Sequence, residues 1–541
     1  RYVDVAKQAH LDVIQVGGGA SVDYIIDSLG AGAAWLDYDG DGDPDLYLAE
    51  GATPEHPRSG PPDRLLRNDG DTDHDGVPDF SDVTARAGLG DTLWSFGVAA
   101  ADYDNDGDTD LFVTNWGPDR LYRNNGNGTF TEIGAAAGLA DTGWGASAVW
   151  ADVDRDGDLD LYVTRYIDFD FARAPRRGQR RSGGKPPCIW KGIEVFCGPR
   201  GLPAAYDSFY RNEGDPDGDG VPRFREVAAA VGLRAEEPFY GLAAHFFDAD
   251  DDGDDDLYVG NDSIRNSFFV NRGDGTFEEQ AIPSGLAYNE EGNEQASMGI
   301  AGADYDGDGR FDLAVTNFSH DYDTLYRNTG ANLFIDASFV AGIGSPSYFD
   351  LAWGISFADL DRDGWEDLVV ANGHVYPQVD GRDLGTTFRQ RNRVFRNRGD
   401  GKFEDWTARL GPGLEGVRGH RALLPVDLDV DGDVDLLFTT FNGPPVLLRA
   451  SGVTGHWLEV ALTGAKSNRD GIGARVTLQA GGRRQLREIR RNAGYAGSIL
   501  PIAQFGLAGA TVVDRLEVRW PSGRSSVREN VKADQRLTIR E

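Results

Sequence analysis

The nonapeptide D-x-D-x-D-G-x-x-D occurs seven times in this chain, starting at Asp37, Asp102, Asp152, Asp248, Asp304, Asp359 and Asp427. In such a loop the carboxylates at positions 1, 3 and 5 converge on one point and the glycine at 6 permits a sharp turn. The carbonyl at 7 adds an oxygen and the carboxylate at 9 closes the shell. The candidate ligands are Asp37, Asp39, Asp41 and Asp45; Asp102, Asp104, Asp106 and Asp110; Asp152, Asp154, Asp156 and Asp160; and Asp248, Asp250, Asp252 and Asp256. The last three copies supply Asp304, Asp306, Asp308 and Asp312; Asp359, Asp361, Asp363 and Asp367; and Asp427, Asp429, Asp431 and Asp435. An all-oxygen donor set selects a hard cation, Ca²⁺, over zinc or copper, so one structural calcium per loop, seven in all, is expected. The alternative, a solvated acidic turn without metal, would leave like charges raising one another's pKa.

An EF-hand shares the first half of this loop but places a glutamate at position 12 and flanks the loop with helices. Here strand-like runs follow instead, such as LYLAE, LFVTN and LYVTR. Motif starts lie 50 to 96 residues apart, too far for a nine-residue β-roll and suited to a four-stranded propeller blade. Each unit has a small, Gly-rich run before the loop (LGAGAAWL, WSFGVAAA) and, after the apolar strand, a hairpin signal such as RNNGNGTF. The seventh unit stops at PPVLLRAS without its last strand, whereas RYVDVAKQAHL at the N-terminus matches FSDVTARAGL of the first unit. The expected fold is all-β: a seven-bladed β-propeller over residues 1–451, closed by the N-terminal strand so that no sheet edge is exposed. A small β-sandwich or barrel over residues 452–541 follows, read from the alternating strands WLEVAL, ARVTLQA, DRLEVRW and QRLTIR.

The chain has 89 acidic and 53 basic residues, a net of −36. The seven nonapeptides hold 36 acidic and three basic residues, a net of −33. Two further loops, Asp71, Asp73, Asp75, Asp79 and Asp215, Asp217, Asp219, are candidate additional metal sites, the second with Arg223 in place of the ninth ligand. The acidity is therefore chiefly a ligand inventory. Residues 452–541 carry +7 and leave −43 for the propeller, so the propeller is expected to dock on its own basic C-terminal domain. A net charge this negative repels phosphate backbones, and no nucleic-acid partner is expected. No apolar run is long enough for a membrane span.

The seven repeats resemble the FG-GAP/VCBS repeats of integrin-α-type propellers. The chain as a whole is similar to the bacterial relatives of cartilage acidic protein 1, with HWLEVALTGAKSNRDGIGARVTL and RLEVRWPSGRSSVRENV resembling their C-terminal ASPIC/UnbV domain. This resemblance implies an extracytoplasmic calcium-binding propeller, secreted or periplasmic, and supplies no defined activity. The chain begins at Arg1 in a strand-like segment, without initiator Met or visible signal peptide, as a processed or trimmed chain would. An insertion at about 167–206 carries Cys188 and Cys197. In that setting a structural disulfide is expected, a metal or reactive-thiol role being the alternative. Its cluster Arg173, Arg176, Arg177, Arg180, Arg181 and Lys185 suits either an anionic polymer or packing across an acidic rim.

Nucleophile-elbow, zinc-protease, P-loop and dinucleotide-binding signatures are absent. Two functional classes remain. One is a recognition or adhesion module holding a protein or glycan ligand at one propeller face. The other is an enzyme of lyase, isomerase or cyclase type, with His245, His374 and His420 in the central channel beside Trp94, Trp144, Tyr240 and Trp353. Convergence of the histidines with a carboxylate or a second metal in one pocket would favour the enzyme. A channel plugged by apolar side chains would remove it.

Overall fold

A computed structural model describes residues Arg1–Glu541. Seven antiparallel sheets follow one another along the chain, and each contains the same four strands. The innermost strands are Ala33–Leu36, Trp94–Ala101, Gly145–Ala151, Gly241–Phe247, Ile300–Ala303, Ala352–Ala358 and His420–Val426. The acidic loop then reverses the chain, and every second strand opens on the ninth aspartate of that loop, as in Asp45–Leu48, Asp160–Arg165 and Asp435–Thr440. The third strand of the first six sheets ends on the asparagine of the R/V-N-x-G hairpin, as in Arg120–Asn124 and Ser267–Asn271, and a short outer strand begins on a phenylalanine, as in Phe130–Glu132 and Phe277–Glu279.

The seventh sheet is built from both ends of this region. Val3 and Asp4 pair with Arg449 and Leu448, giving the strand order Val3–Asp4, Val446–Arg449, Asp435–Thr440, His420–Val426. Tyr2 N donates to Leu410 O (2.7 Å) and Val5 N to Leu447 O (2.8 Å), which anchors the segment on either side of the pairing.

Neighbouring sheets meet through side chains rather than through strand pairing. Seven apolar clusters of 12 to 18 buried residues lie between successive sheets, including one that joins the seventh to the first through Leu424, Leu437, Trp35 and Leu46. At roughly 1.5–3 kcal/mol for each large buried side chain, this packing dominates the junctions. A single hydrogen bond, worth about 1 kcal/mol net, adds register. Such bonds exist at five junctions: Asn124, Asn212, Asn271, Asn328 and Asn397 each donate from Nδ2 to a carbonyl in the preceding sheet's acidic loop, on Tyr38, Tyr103, Val153, Ala249 and Tyr305, at 2.8–3.3 Å. Asn68 reaches only Pro44 O of its own loop (3.3 Å), and Ala450 stands at the corresponding place in the seventh sheet. The two junctions of the seventh sheet thus lack the link.

Residues from His456 onward form a three-stranded sheet (His456–Thr463, Ile502–Ala508, Gln535–Arg540) and a four-stranded sheet (Arg475–Ala480, Arg483–Glu488, Val512–Arg519, Ser525–Lys532) around a core that includes Leu458, Val476, Phe505 and Trp520. The loop between Glu488 and Ile502 leaves this unit and enters the axis of the seven sheets. Gly497–Ser498 pairs in parallel with Ala33 and Ala34, Val98 N donates to Ala496 O (3.3 Å), and Ile300 N donates to Gly494 O (3.1 Å). Tyr495 and Ala496 join Trp94, Trp144, Trp353 and Met298 in the apolar cluster that fills the axis. The Gly-rich inner runs make room for the loop: a Cβ on Gly32 would lie 1.8 Å from Ala496 O.

Asn271→Ala is expected to lower the unfolding free energy by about 1 kcal/mol more than Asn68→Ala, because only the former also removes a bond between sheets. Guanidinium unfolding midpoints of the two variants measure the difference.

Candidate metal sites

The seven loops share one internal bonding pattern. The backbone N–H of the glycine at position 6 donates to the position-1 carboxylate, from Gly42 to Asp37 through Gly432 to Asp427, at 2.7–3.2 Å. The position-9 carboxylate accepts from the backbone N–H that ends or follows the third strand: Asn68 to Asp45, Asn124 to Asp110, Asn212 to Asp160, Asn271 to Asp256, Asn328 to Asp312, Asn397 to Asp367 and Ala450 to Asp435, at 2.7–2.9 Å. In five loops its other oxygen accepts from the N–H at position 2, as from Tyr38 to Asp45 (3.0 Å) and from Ala249 to Asp256 (3.1 Å). One carboxylate therefore ties the loop to the third strand.

This geometry brings the candidate ligands together. Oxygens of Asp37, Asp39 and Asp41 lie within 4.8 Å of one another, as do those of Asp102, Asp104 and Asp110, of Asp152, Asp154 and Asp156, of Asp248, Asp250 and Asp252, and of Asp71, Asp73 and Asp75 in the outer hairpin of the first sheet. The buried oxygens Asp102 Oδ1, Asp152 Oδ1, Asp160 Oδ2 and Asp304 Oδ1 have no hydrogen-bond partner. Burial, aided by the neighbouring carboxylates, pushes Asp45 up to about 8 and Asp152 up to about 8. Asp102 and Asp359 rise to about 7, and Asp304 to about 6, for the same reasons. A hard cation would supply the charge and the missing partners at once, so the donor set fits Ca²⁺.

Arginines neutralise part of the charge from outside. Arg327 Nε donates to Asp306 Oδ2 (2.6 Å), and Arg396 donates to Asp361 (2.6 Å) and Asp363 (2.7 Å). At the second outer loop, Arg223 Nη2 lies 2.7 Å from Asp219 and 3.3 Å from Asp217. The chain itself supplies the positive charge there, so Asp215, Asp217 and Asp219 are poorer candidates than the other loops.

The unit beginning at His456 touches the position-1 ends of the loops. Gly506 N donates to Asp359 Oδ2 (3.1 Å), Arg519 Nη2 donates to Asp248 Oδ2 (2.8 Å), and Asp102 N donates to Asp470 Oδ2 (3.1 Å).

The three candidate channel histidines occupy separate surroundings. His245 Nδ1 faces Asn492 Nδ2 (2.8 Å) of the inserted loop. His374 Nε2 bonds Ser319 Oγ (3.0 Å), and its Nδ1 accepts from Tyr376 N (3.0 Å). His420 Nδ1 lies 3.3 Å from Thr439 O. Burial lowers all three, His374 and His420 to about 3, so each is neutral at physiological pH. The cavity lined by His245 contains neither His374 nor His420. Trp94 and Trp144 are packed in the axial cluster, Trp353 donates from Nε1 to Gly373 O (2.8 Å), and Tyr240 donates from its hydroxyl to Leu202 O (2.9 Å).

Cys188 and Cys197 are joined, with Cα atoms 5.2 Å apart. Arg176 and Arg177 of the insertion pair with Asp23 (2.6 and 2.9 Å), the acidic-rim alternative for these two, whereas Arg173 pairs locally with Asp168 and Asp170 of the insertion itself (3.2 and 3.1 Å). Arg180 and Arg181 instead donate to the carbonyls of Gly184 (2.7 Å) and Pro186 (3.0 Å).

A second repeated device lies at the other end of the first six sheets. Side chains of Asp63, Asp119, Asp207, Asn266, Asp323 and Asn392 accept from the N–H near the end of the second strand, on Glu50, Asn115, Arg165, Asn261, Asn317 and Asn372, at 2.6–3.0 Å. The signal in the sequence is an Asp or Asn ahead of the third strand of these six sheets, in DRLLRN, DRLYRN, DSFYRN, NSFFVN, DTLYRN and NRVFRN, whereas the seventh has Pro444 and Pro445 there.

The FG-GAP-like repeat family matches residues 37–113, 102–163, 248–315, 304–370 and 381–474. The chain belongs to this family. Beyond the FG-GAP repeats, residues 464–541 match the ASPIC and UnbV domain. Cartilage acidic protein 1 of Homo sapiens is 27% identical over 335 residues, 60% of this chain and 46% of that protein. The Mus musculus protein is 27% identical over 316 residues, 56% and 45%. The match thus spans less than half the length of these curated relatives. Among solved structures, YCF48 bound to D1 peptide is similar with 8% identity, 82% of this chain and 98% of that chain covered, and a TM-score of 0.41. An Agrocybe aegerita lectin that recognises non-reducing terminal N-acetylglucosamine has 16% identity, covering 76% and 75%, with a TM-score of 0.29.

Replacing a position-9 aspartate is expected to destabilise the FG-GAP repeat even without metal. Asp312→Ala leaves the N–H groups of Asn328 and Tyr305 unpaired, at about 1–3 kcal/mol each. Asp306→Ala, which opens a part-exposed pair with Arg327, is expected to cost less than about 1 kcal/mol in chelator. Thermal melts of both variants in excess EGTA test the ordering.

Proposed function

We propose that the chain is an extracytoplasmic recognition module whose FG-GAP repeats each hold a structural Ca²⁺ in the acidic loop, and which presents a protein or glycan ligand site at one end of the ring. The observation that carries the calcium reading is the set of buried loop carboxylate oxygens, among them Asp102 Oδ1, Asp152 Oδ1 and Asp304 Oδ1, that no protein group satisfies. The extracytoplasmic reading is supported by the Cys188–Cys197 disulfide. In this reading the basic C-terminal domain docks on the acidic loops of its own propeller and adds screening to what the cations provide. The opposite end of the ring, where the insertion lies, is then the end available to a ligand. Nothing in the surroundings of His245, His374 and His420 favours the enzyme alternative.

Removal of calcium tests the proposal. A ligand present at about 1,000 times its Kd stabilises by about 4 kcal/mol per site, so excess EGTA is expected to lower the melting temperature substantially, and elemental analysis to find several calcium ions per chain. An unchanged melting curve would reject structural calcium. The effect has a pH dependence of fixed sign. Loop carboxylates held up to about 6–8 in the metal-free fold bind protons that the unfolded chain does not, so the metal-free fold gains stability as pH falls from 8 towards 4. The EGTA effect is therefore expected to be larger at pH 8 than at pH 5.5.

A further inference from the structure

At the end of the ring opposite the acidic loops, the insertion roofs a cavity of about 300 Å³ lined by 22 residues, 13 of them hydrophobic. The end is fixed by topology: the cavity is lined from segments that follow second strands (Asp262, Asp321, Tyr376) or precede inner strands (Leu29, Ala296, Leu351), whereas the acidic loops join inner to second strands. The insertion contributes Trp190 from the short hairpin Ile189–Trp190 and Ile193–Glu194, which the disulfide closes, and Phe196, Pro199 and Arg200 from the segment after it.

One wall is aromatic. Phe196 and Tyr376 have ring centroids 4.8 Å apart, and Trp190 lies 5.9 Å from both Tyr376 and Phe318. The other wall is polar and partly committed to the protein. Asp262 accepts from the Tyr166 hydroxyl (2.5 Å) and from Ser263 Oγ (2.7 Å). Asp321 Oδ1 accepts from Gln295 Nε2 (3.0 Å) and from Tyr322 N (2.8 Å). Arg200 and Glu294, which also line the cavity, pair with each other, and Arg200 Nε donates to Ser263 O (2.7 Å). Beyond that ion pair, Asp321 Oδ2, the Tyr376 hydroxyl and the Trp190 indole N–H make no hydrogen bond within the protein and are not sealed from solvent. They offer one acceptor, one donor-acceptor and one donor around an aromatic surface.

That set discriminates between ligands. An apolar group would bury all three unpaired, at about 1–3 kcal/mol each. A cation would satisfy Asp321 and the rings but meet the indole N–H with like polarity. A ring with a C–H face and a belt of hydroxyls satisfies both walls, and the volume is at the low end for small-ligand pockets. We propose that this cavity binds one neutral pyranose ring, the terminal residue of a glycan. The proposal rests on the recognition reading above and gives it a location and a ligand class.

The test uses the full calcium-loaded chain on a glycan array, followed by calorimetric titration with the free monosaccharide of the strongest hit. Binding is expected to weaken about five- to tenfold in Tyr376→Phe, which keeps the ring and loses one hydrogen bond. It is expected to be lost in Trp190→Ala, with melting temperatures measured to confirm that both variants fold. Glycan binding that both folded variants retain would overturn the proposal while leaving recognition standing at another surface. An array with no retained glycan would also overturn it, and recognition would then concern protein ligands. Titration with choline is the control for a cation site, and a response to choline without one to any sugar would overturn the sugar assignment. The calcium reading is decided separately by the EGTA melt.

Discussion

Each repeat is organised by the carboxylate at the ninth position of its loop. Asp45 and its six counterparts are almost completely buried, and all accept a backbone N–H at the end of the third strand. A buried carboxylate costs several kcal/mol unless donors surround it, and here the donors come from two segments that would otherwise be joined only by ladder bonds. The same side chain faces the like-charged loop residues, whose repulsion raises it further. The repeat is therefore built with a deficit of positive charge at its centre, and that deficit is what the proposed cation would fill.

The axis imposes the second constraint. Inner strands of small residues cannot fill the space they enclose, and in a ring of seven sheets that space would remain open without an added segment. The loop around Tyr495 fills it. Because the loop belongs to the C-terminal unit and hydrogen-bonds to the first, second and fifth sheets, the two units bury one another's surface. Gly32 and Gly494 mark the fit: a Cβ on Gly494, which has φ +71°, would lie 2.3 Å from Ile355 O. Arg421 shows how completely the axis is used. Its guanidinium is buried without a carboxylate, donates to the carbonyls of Ser28, Gly373 and His420 at 2.8–3.1 Å, and stacks on Trp353.

Much of this was legible in the chain. The seven loops, the strand that each precedes and the match between RYVDVAKQAHL and FSDVTARAGL are local patterns, and local patterns survive folding. The pairing of Val3 with Arg449 follows from that match. What could not be read was anything decided by approach along the axis. The sequence LGAGAAWL shows that something small is required, but not that residues more than 450 positions later occupy the gap. The histidines illustrate the same limit. His245 and His420 lie in inner strands and His374 just past the end of a second strand, and side-chain direction, set by register and by the inserted loop, sends each to a different partner. The Asp and Asn residues ahead of the third strands were legible in principle. A single Asp or Asn before a strand is unremarkable until its six copies are aligned.

The two ends of the ring follow from one asymmetry in the repeat. At the end where inner strand passes to second strand, the connection is a tight nine-residue loop of fixed sequence, which the C-terminal unit touches directly. At the other end the connections have no fixed length, and there the chain accepts the insertion and the segment before Ala33 without disturbing the loops. Variable connections on a rigid scaffold are where recognition is usually placed. The acidic loops supply rigidity at one end, and the disulfide-bonded hairpin supplies shape at the other. Seven copies of one motif thus constrain the scaffold, and the parts of the sequence that escape the repeat are those free to carry specificity.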